Sequence, residues 1–121
     1  MLTLPSSVRI YIAAAPVDLR KGFDKLAQLA RAVIREDPLN GHIFVFLNRQ
    51  RNRVKCLWWD RSGWLLLYKK LERGTFQVPL EPLLGKAHVE VDAGEFALML
   101  EGIDLRGATR RRRWRRLPHE L

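Results

Sequence analysis

The sequence predicts an α+β fold: an antiparallel sheet of four or five strands packed by one main amphipathic helix and a short C-terminal helix. Three observations predict it. One apolar stripe at helical spacing runs from Leu19 to Ile34. Three strand-like runs then follow in close succession between residues 42 and 71. Finally, an Asp-x-x-Glu motif precedes a second short apolar stripe.

Residues 8–13 (VRIYIA) alternate Ile10 and Ile12 against Arg9 and Tyr11, the period of a strand, and Pro16 ends the run. Asp18 is placed to cap a helix. From there Leu19, Phe23, Leu26, Ala27, Ala30, Val33 and Ile34 fall within an arc of about 120° at 100° per residue. Pro38 closes this helix, and Asn40 with Gly41 signals a turn. The run at 42–48 (HIFVFLN) is apolar and rich in β-formers. The runs at 53–60 (RVKCLWWD) and 64–71 (WLLLYKKL) are joined by a hairpin through Asp60, Arg61, Ser62 and Gly63. Short loops make these three an antiparallel meander. Alternation sets Lys55, Leu57 and Trp59 on one face of the middle strand and Val54, Cys56, Trp58 and Asp60 on the other. Both faces carry apolar bulk, so this strand is expected to be central.

Beyond Gly74, Pro79, Pro82 and Gly85 mark a surface loop, and residues 87–91 (AHVEV) form one more short strand. Asp92 and Glu95 have capping-box spacing, opening a helix with Phe96, Met99, Leu100 and Ile103 on one side. Gly102 ends it. The organisation expected is a domain over residues 1–105 and an Arg-rich, disordered tail over residues 106–121.

Charge follows that division. The chain has 121 residues and a net charge of +9. Residues 1–105 hold 15 basic and 12 acidic side chains, and residues 106–121 hold seven and one. Two thirds of the excess therefore sits in the last sixteen residues. A 47% hydrophobic content excludes a wholly disordered chain. One cysteine, Cys56, excludes an intrachain disulfide, and three scattered histidines (His42, His88, His119) give no zinc-ligand spacing. No apolar run approaches the roughly 20 residues of a membrane span. A cytoplasmic protein without metal or cofactor is expected.

Two basic clusters carry the chemistry. In the tail, Arg110, Arg111, Arg112, Arg113, Arg115 and Arg116 surround Trp114; guanidinium groups neutralise phosphates and an indole stacks on a base. A solvated tail, or one that binds an acidic protein, is the alternative. In the second cluster Arg49, Arg51, Arg53 and Lys55 alternate along a loop that runs into a strand, which would send them to one side. Lys69, Lys70 and Arg73 lie near the end of the partner strand and extend the patch. Aromatic and basic residues on one sheet face are found in nucleic-acid binders. The plainer reading places Trp58, Trp59 and Trp64 in the core and the charges on an edge protected against aggregation. Catalysis has little support: Asp18, Asp24, Asp60, Asp92 and Asp104 are dispersed, whereas a two-metal nuclease needs convergent carboxylates.

The segments PVDLRKGFDKL (16–26), GHIFVFLNRQRNRVKCLWWDRSGWLLLYKKLERGTF (41–76) and LEGIDLR (100–106) resemble the small accessory protein of the insertion-sequence sixty-six family, labelled TnpB or Orf2-like. They do not resemble the RNA-guided nuclease that shares the TnpB label. The resemblance covers nearly all of residues 4–106. It implies a non-catalytic role in DNA transposition beside a separate, larger transposase, and it brings no active-site residues. Leu105 stands where members often have Trp, and the arginine tail exceeds the usual pattern. DNA and the element's own transposase are the expected partners. A protein–protein adaptor without DNA contact, an RNA-binding regulator and a small nuclease are the alternatives.

Overall fold

A computed structural model describes residues 7–78 and 85–102. It is an α+β fold built on one five-stranded sheet, as the sequence predicts. The strands are β1 (Ile10–Ala13), β2 (Ile43–Leu47), β3 (Arg53–Trp59), β4 (Trp64–Lys70) and β5 (His88–Val91), in the spatial order β4-β3-β2-β1-β5. The predicted meander of β2, β3 and β4 is antiparallel throughout, and β5 is antiparallel to β1. The one parallel pair is β1 with β2. Its cause is the connection, because a helical crossover between adjacent strands returns the chain in the same direction.

That crossover contains helix α1 (Phe23–Leu29), which continues through a wider π-helical turn at Ala30–Ile34. Arg35 ends the turn in the left-handed region (φ 63°). Asp18 does not cap α1, contrary to the expectation. Its carboxylate instead accepts from the backbone N–H of Arg20, closing a local turn four residues ahead of the helix. The residue ahead of α1 is Gly22, which has no side chain to cap with. The stripe itself holds where the helix forms: Leu26, Ala27, Ala30 and Ile34 are buried, while Phe23 in the first turn is 43% exposed.

The sheet is covered on both sides. On one face α1 packs with Tyr11, Leu19, Phe44, Phe46 and Leu57. On the other, Phe76 and Val78 join helix α2 (Ala93–Leu100) over Ile12, Val45, Val54 and Cys56. Every residue of β1 and β2 is therefore buried. The capping box forms as expected: Asp92 Oδ1 accepts from the Glu95 N–H at 2.7 Å and Glu95 Oε1 from the Asp92 N–H at 3.2 Å. Gly102 follows α2 with φ 78°, the left-handed conformation that closes a helix. Ile103 and the proline-rich stretch at 79–84 lie outside the described residues, as does the tail.

The hairpin between β3 and β4 also turns where expected. Asp60 Oδ1 accepts from the N–H groups of Ser62 and Gly63, at 3.1 and 2.9 Å, and these donors hold its carboxyl below the usual range. The three tryptophans are half-buried rather than fully in the core. Trp58 and Trp64 pack at the margins of opposite cores, and Trp59 meets Trp64 edge-on, centroids 5.1 Å apart.

Cys56 is 1% exposed, and burial pushes its thiol up to about 12. Only the thiolate is nucleophilic. At pH 8 the folded protein should resist iodoacetamide while urea-unfolded protein reacts fully. Equal rates in both states, read by mass spectrometry, would show that β3 opens readily.

Candidate nucleic-acid interface

Strand directions sort charge along the sheet. β1 and β2 end, β3 begins and β4 ends at the same end of the molecule. This end gathers Arg20, Lys21, Arg49, Arg51, Arg53 and Lys70. Asp60, Glu90 and Asp92 sit at the other end, by the opposite strand termini, together with Glu36, whose carboxylate accepts from the Tyr11 hydroxyl at 2.6 Å. The sorting is partial, since Asp18 and Glu72 share the basic end and Arg9, paired with Glu90, and Arg61 share the other, but basic side chains outnumber acidic ones at the first end, which is the positive pole.

At that pole lies an open cleft of about 610 Å³. One wall is the segment between β1 and α1 (residues 16–20), and the other is the turn between β2 and β3 (residues 48–53), with Tyr68 of β4 beside it. Ligand crevices of α/β sheets favour this position, beyond the carboxyl ends of parallel strands.

Each wall is tied down by hydrogen bonds. The first is fastened by Val17 N–H to the Leu47 carbonyl (2.8 Å) and by Lys55 Nζ to the Lys21 carbonyl (2.9 Å). Asp18 also grips Arg20 from both carboxylate oxygens, Nη2 to Oδ2 at 2.7 Å, which lowers the acid's proton affinity. The second wall is organised by Asn48. Its Oδ1 accepts from the backbone N–H groups of Asn52 and Arg53 (3.1 and 3.0 Å), and its Nδ2 donates to Asn52 Oδ1 and Gln50 Oε1 (2.7 and 3.3 Å). From outside, Phe76 N–H donates to the Arg51 carbonyl at 2.7 Å and Leu71 N–H to that of Asn52 at 2.8 Å.

The residues singled out from sequence fall into distinct places. Arg49 and Arg53 line the cleft together. Arg53 also donates to the Tyr68 hydroxyl at 3.1 Å, and Lys70 stands directly across from it on β4. Arg51, left-handed at φ 57°, leaves the alternation and lines a smaller neighbouring recess, of about 140 Å³, together with Arg49. Strand period does not apply at residues 48–52 because they form a turn. Lys55 shares the face of Arg53 but is 8% exposed, its ammonium on the Lys21 carbonyl and 4.9 Å from the Tyr68 ring centroid. Lys69 projects to the opposite face, where Nζ donates to the Leu100 carbonyl at 2.6 Å and complements the negative end of α2. Arg110 to Arg116, with Trp114, lie outside the described residues.

Sequence reasoning did not single out Arg20, Tyr68 or the amides of residues 48, 50 and 52. Tyr68 was detectable, since it pairs with Lys55 across the hairpin and so shares the basic face. The dispersed carboxylates stay apart, with Asp18 at the cleft and Asp60 and Asp92 at the far end, and Asp104 lies outside the described residues. Among the described residues no cluster of three or more His, Cys, Asp or Glu is arranged to hold a metal, and no helix is long and apolar enough to cross a membrane.

The architecture agrees with the sequence resemblance, and comparison with known proteins decides it. The family model described as IS66 Orf2 like protein matches residues 8–110, a span that includes the whole sheet and both cleft walls. The chain belongs to the IS66 Orf2-like family. Two proteins of Sinorhizobium fredii are similar over most of their length. The uncharacterized protein y4jC is 39% identical over 98 residues, covering 80% of each chain. The uncharacterized protein y4hO is 34% identical over 106 residues, covering 88% of this chain and 90% of its own. No solved structure matches. Membership ties this IS66 Orf2-like protein to an insertion sequence, as an accessory component. The match reaches Arg110 and stops there, so the run from Arg111 to Arg116 is outside it.

Proposed function

We propose that this protein is a non-catalytic transposition factor that binds DNA through the positive pole of its sheet and acts beside the element's separate transposase. The observation that carries this reading is the convergence of Arg49, Arg53 and Lys70 at one end of a domain whose carboxylates are held mainly at the other. Arg51 extends the cationic surface from that core, and the tail arginines add charge able to neutralise phosphates. Phosphate contacts of this kind release counterions, so affinity should fall steeply with salt, by about 0.9 in log K per log unit of salt for each phosphate neutralised on duplex DNA.

A salt titration on the element's own ends and on unrelated duplex tests this directly. The full chain is compared with a version ending at Leu105, and with Arg49→Gln/Arg53→Gln in the full chain. The expected result is a measurable slope that decreases by about 2 in the double variant. A slope near zero for the full chain would overturn DNA binding. Loss of all binding on truncation, with no effect of the double variant, would move the site to the tail.

The adaptor reading has one feature in its favour. Edge strand β4 exposes Leu65 (39%) and Leu67 (37%) on the face that carries Trp58, an apolar strip suited to a protein partner. Co-purification with the transposase after nuclease treatment, without retention on DNA, would select it.

A further inference from the structure

The cleft is more specific than a cationic surface, because the groups it leaves free are nearly all donors. Its one carboxylate, Asp18, is engaged on both oxygens by Arg20. The Asn48 amide is used within the turn, and it draws in the carbonyl oxygens of Gln50 and Asn52. The NH2 groups of Gln50 and Asn52 then remain, beside the guanidinium groups of Arg49 and Arg53. Such a lining selects an anion that is also rich in acceptors.

Tyr68 adds a stacking surface. Tyr68 is 51% exposed, its ring lies over the Lys55 ammonium, and its hydroxyl is held by Arg53. A tyrosine fixed in this way, with half its surface open beside phosphate-binding groups, is the arrangement found in single-strand stacking sites. The volume agrees: about 610 Å³ falls within the roughly 300–1,000 Å³ of small-ligand sites, room for one nucleotide.

We propose that the cleft binds one unpaired nucleotide of a nucleic-acid strand, with its phosphate on Arg49 and Arg53, its base on Tyr68 and its acceptor edge toward Gln50 and Asn52. This rests on the nucleic-acid reading above and adds that the preferred form at this site is unpaired. An unpaired nucleotide comes from single-stranded DNA or from RNA, and both present the chemistry the cleft selects.

The test uses the full chain at fixed salt with three probes of about 12 nucleotides or base pairs, within the 4–16 nucleotides typical of stacking sites: oligothymidine, oligouridine and a mixed duplex. Either single strand should bind about tenfold more tightly than the duplex, the effect of one stacked base. The strand that wins identifies the source. Tyr68→Leu should bring the ratio of single-strand to duplex affinity close to one, and Tyr68→Trp should restore it. A 5-iodouracil-substituted strand should photo-crosslink to the tryptic peptide 62–69, which contains Tyr68. The proposal is overturned if the wild-type ratio is already near one, if Tyr68→Leu leaves it unchanged, or if crosslinks map only to residues 106–121. Those results leave salt-dependent duplex binding intact as a separate finding, whereas absence of binding to every probe removes both readings.

Discussion

Lys55→Glu is expected to destabilise the folded protein by about 3–5 kcal/mol, the scale on which a buried charge loses its partner. The ammonium sits between the Lys21 carbonyl at 2.9 Å and the Tyr68 ring, in a position only 8% exposed. A carboxylate there would face a carbonyl oxygen and the negative face of an aromatic ring, with little water to reach it. Domains of this size have about 5–15 kcal/mol of stability in all, so the variant should lose roughly a fifth of it or more. Lys55→Met separates charge from packing. It keeps the apolar stem over the sheet and loses the one hydrogen bond, for about 1–2 kcal/mol. Urea unfolding of the three proteins, with midpoint and slope both measured, checks the order. If Lys55→Glu stays within about 0.5 kcal/mol of the parent, as surface substitutions do, then Lys55 is solvated and free to meet phosphate. The same variants decide between two roles for this residue. A lysine that neutralises a phosphate contributes about 0.9 to the salt slope, so its loss lowers the slope with stability unchanged. A lysine that pins residues 18–21 to β3 loses stability first, and binding only as the cleft wall loosens.

The contrast between Lys55 and Arg53 shows what was legible in the sequence and why the rest was not. Period-2 alternation placed both on one face of β3, and the structure agrees. Alternation carries no information about depth, however. Lys55 lies under the segment between β1 and α1, whereas Arg53 stands at the end of the strand beyond that cover. The meander, both helices, the capping box and the Asp60 turn were readable because each depends on residues close in sequence. The β1–β2 pairing and the start of α1 were not, for a related reason. Asp18 has the chemistry of a helix cap, but Arg20, two residues on, offers a backbone N–H and a guanidinium to the same carboxylate. That local competition shifts the helix start to Phe23. The cleft was least visible, since its walls are separated by about thirty residues in sequence and are brought together by tertiary contacts, among them the Val17–Leu47 and Lys55–Lys21 hydrogen bonds.

The second wall depends on a single amide, and Asn48→Ala should show it. Asn48 satisfies two backbone N–H groups and two side-chain oxygens within five residues, while its own N–H donates to the Arg53 carbonyl at 3.2 Å. Alanine keeps that last bond and removes the rest, leaving the N–H groups of Asn52 and Arg53 without their acceptor. We expect a loss of about 1–2 kcal/mol, the net worth of these hydrogen bonds at positions that water partly reaches. Asn48→Asp keeps the acceptor and sacrifices only the two donations to Asn52 and Gln50, so it should recover most of that stability. It also places a negative charge between Arg49 and Arg53. The two variants therefore separate stability from binding. Alanine weakens both, because the left-handed Arg51 and the positions of Arg49 and Arg53 follow from the turn. Aspartate preserves the turn while opposing an anionic ligand, so its stability should stay near the parent's as nucleic-acid affinity drops. Thermal unfolding and fluorescence anisotropy on the same samples measure both. If aspartate binds as tightly as the parent while alanine destabilises as stated, the turn is structural and the ligand contacts the protein elsewhere.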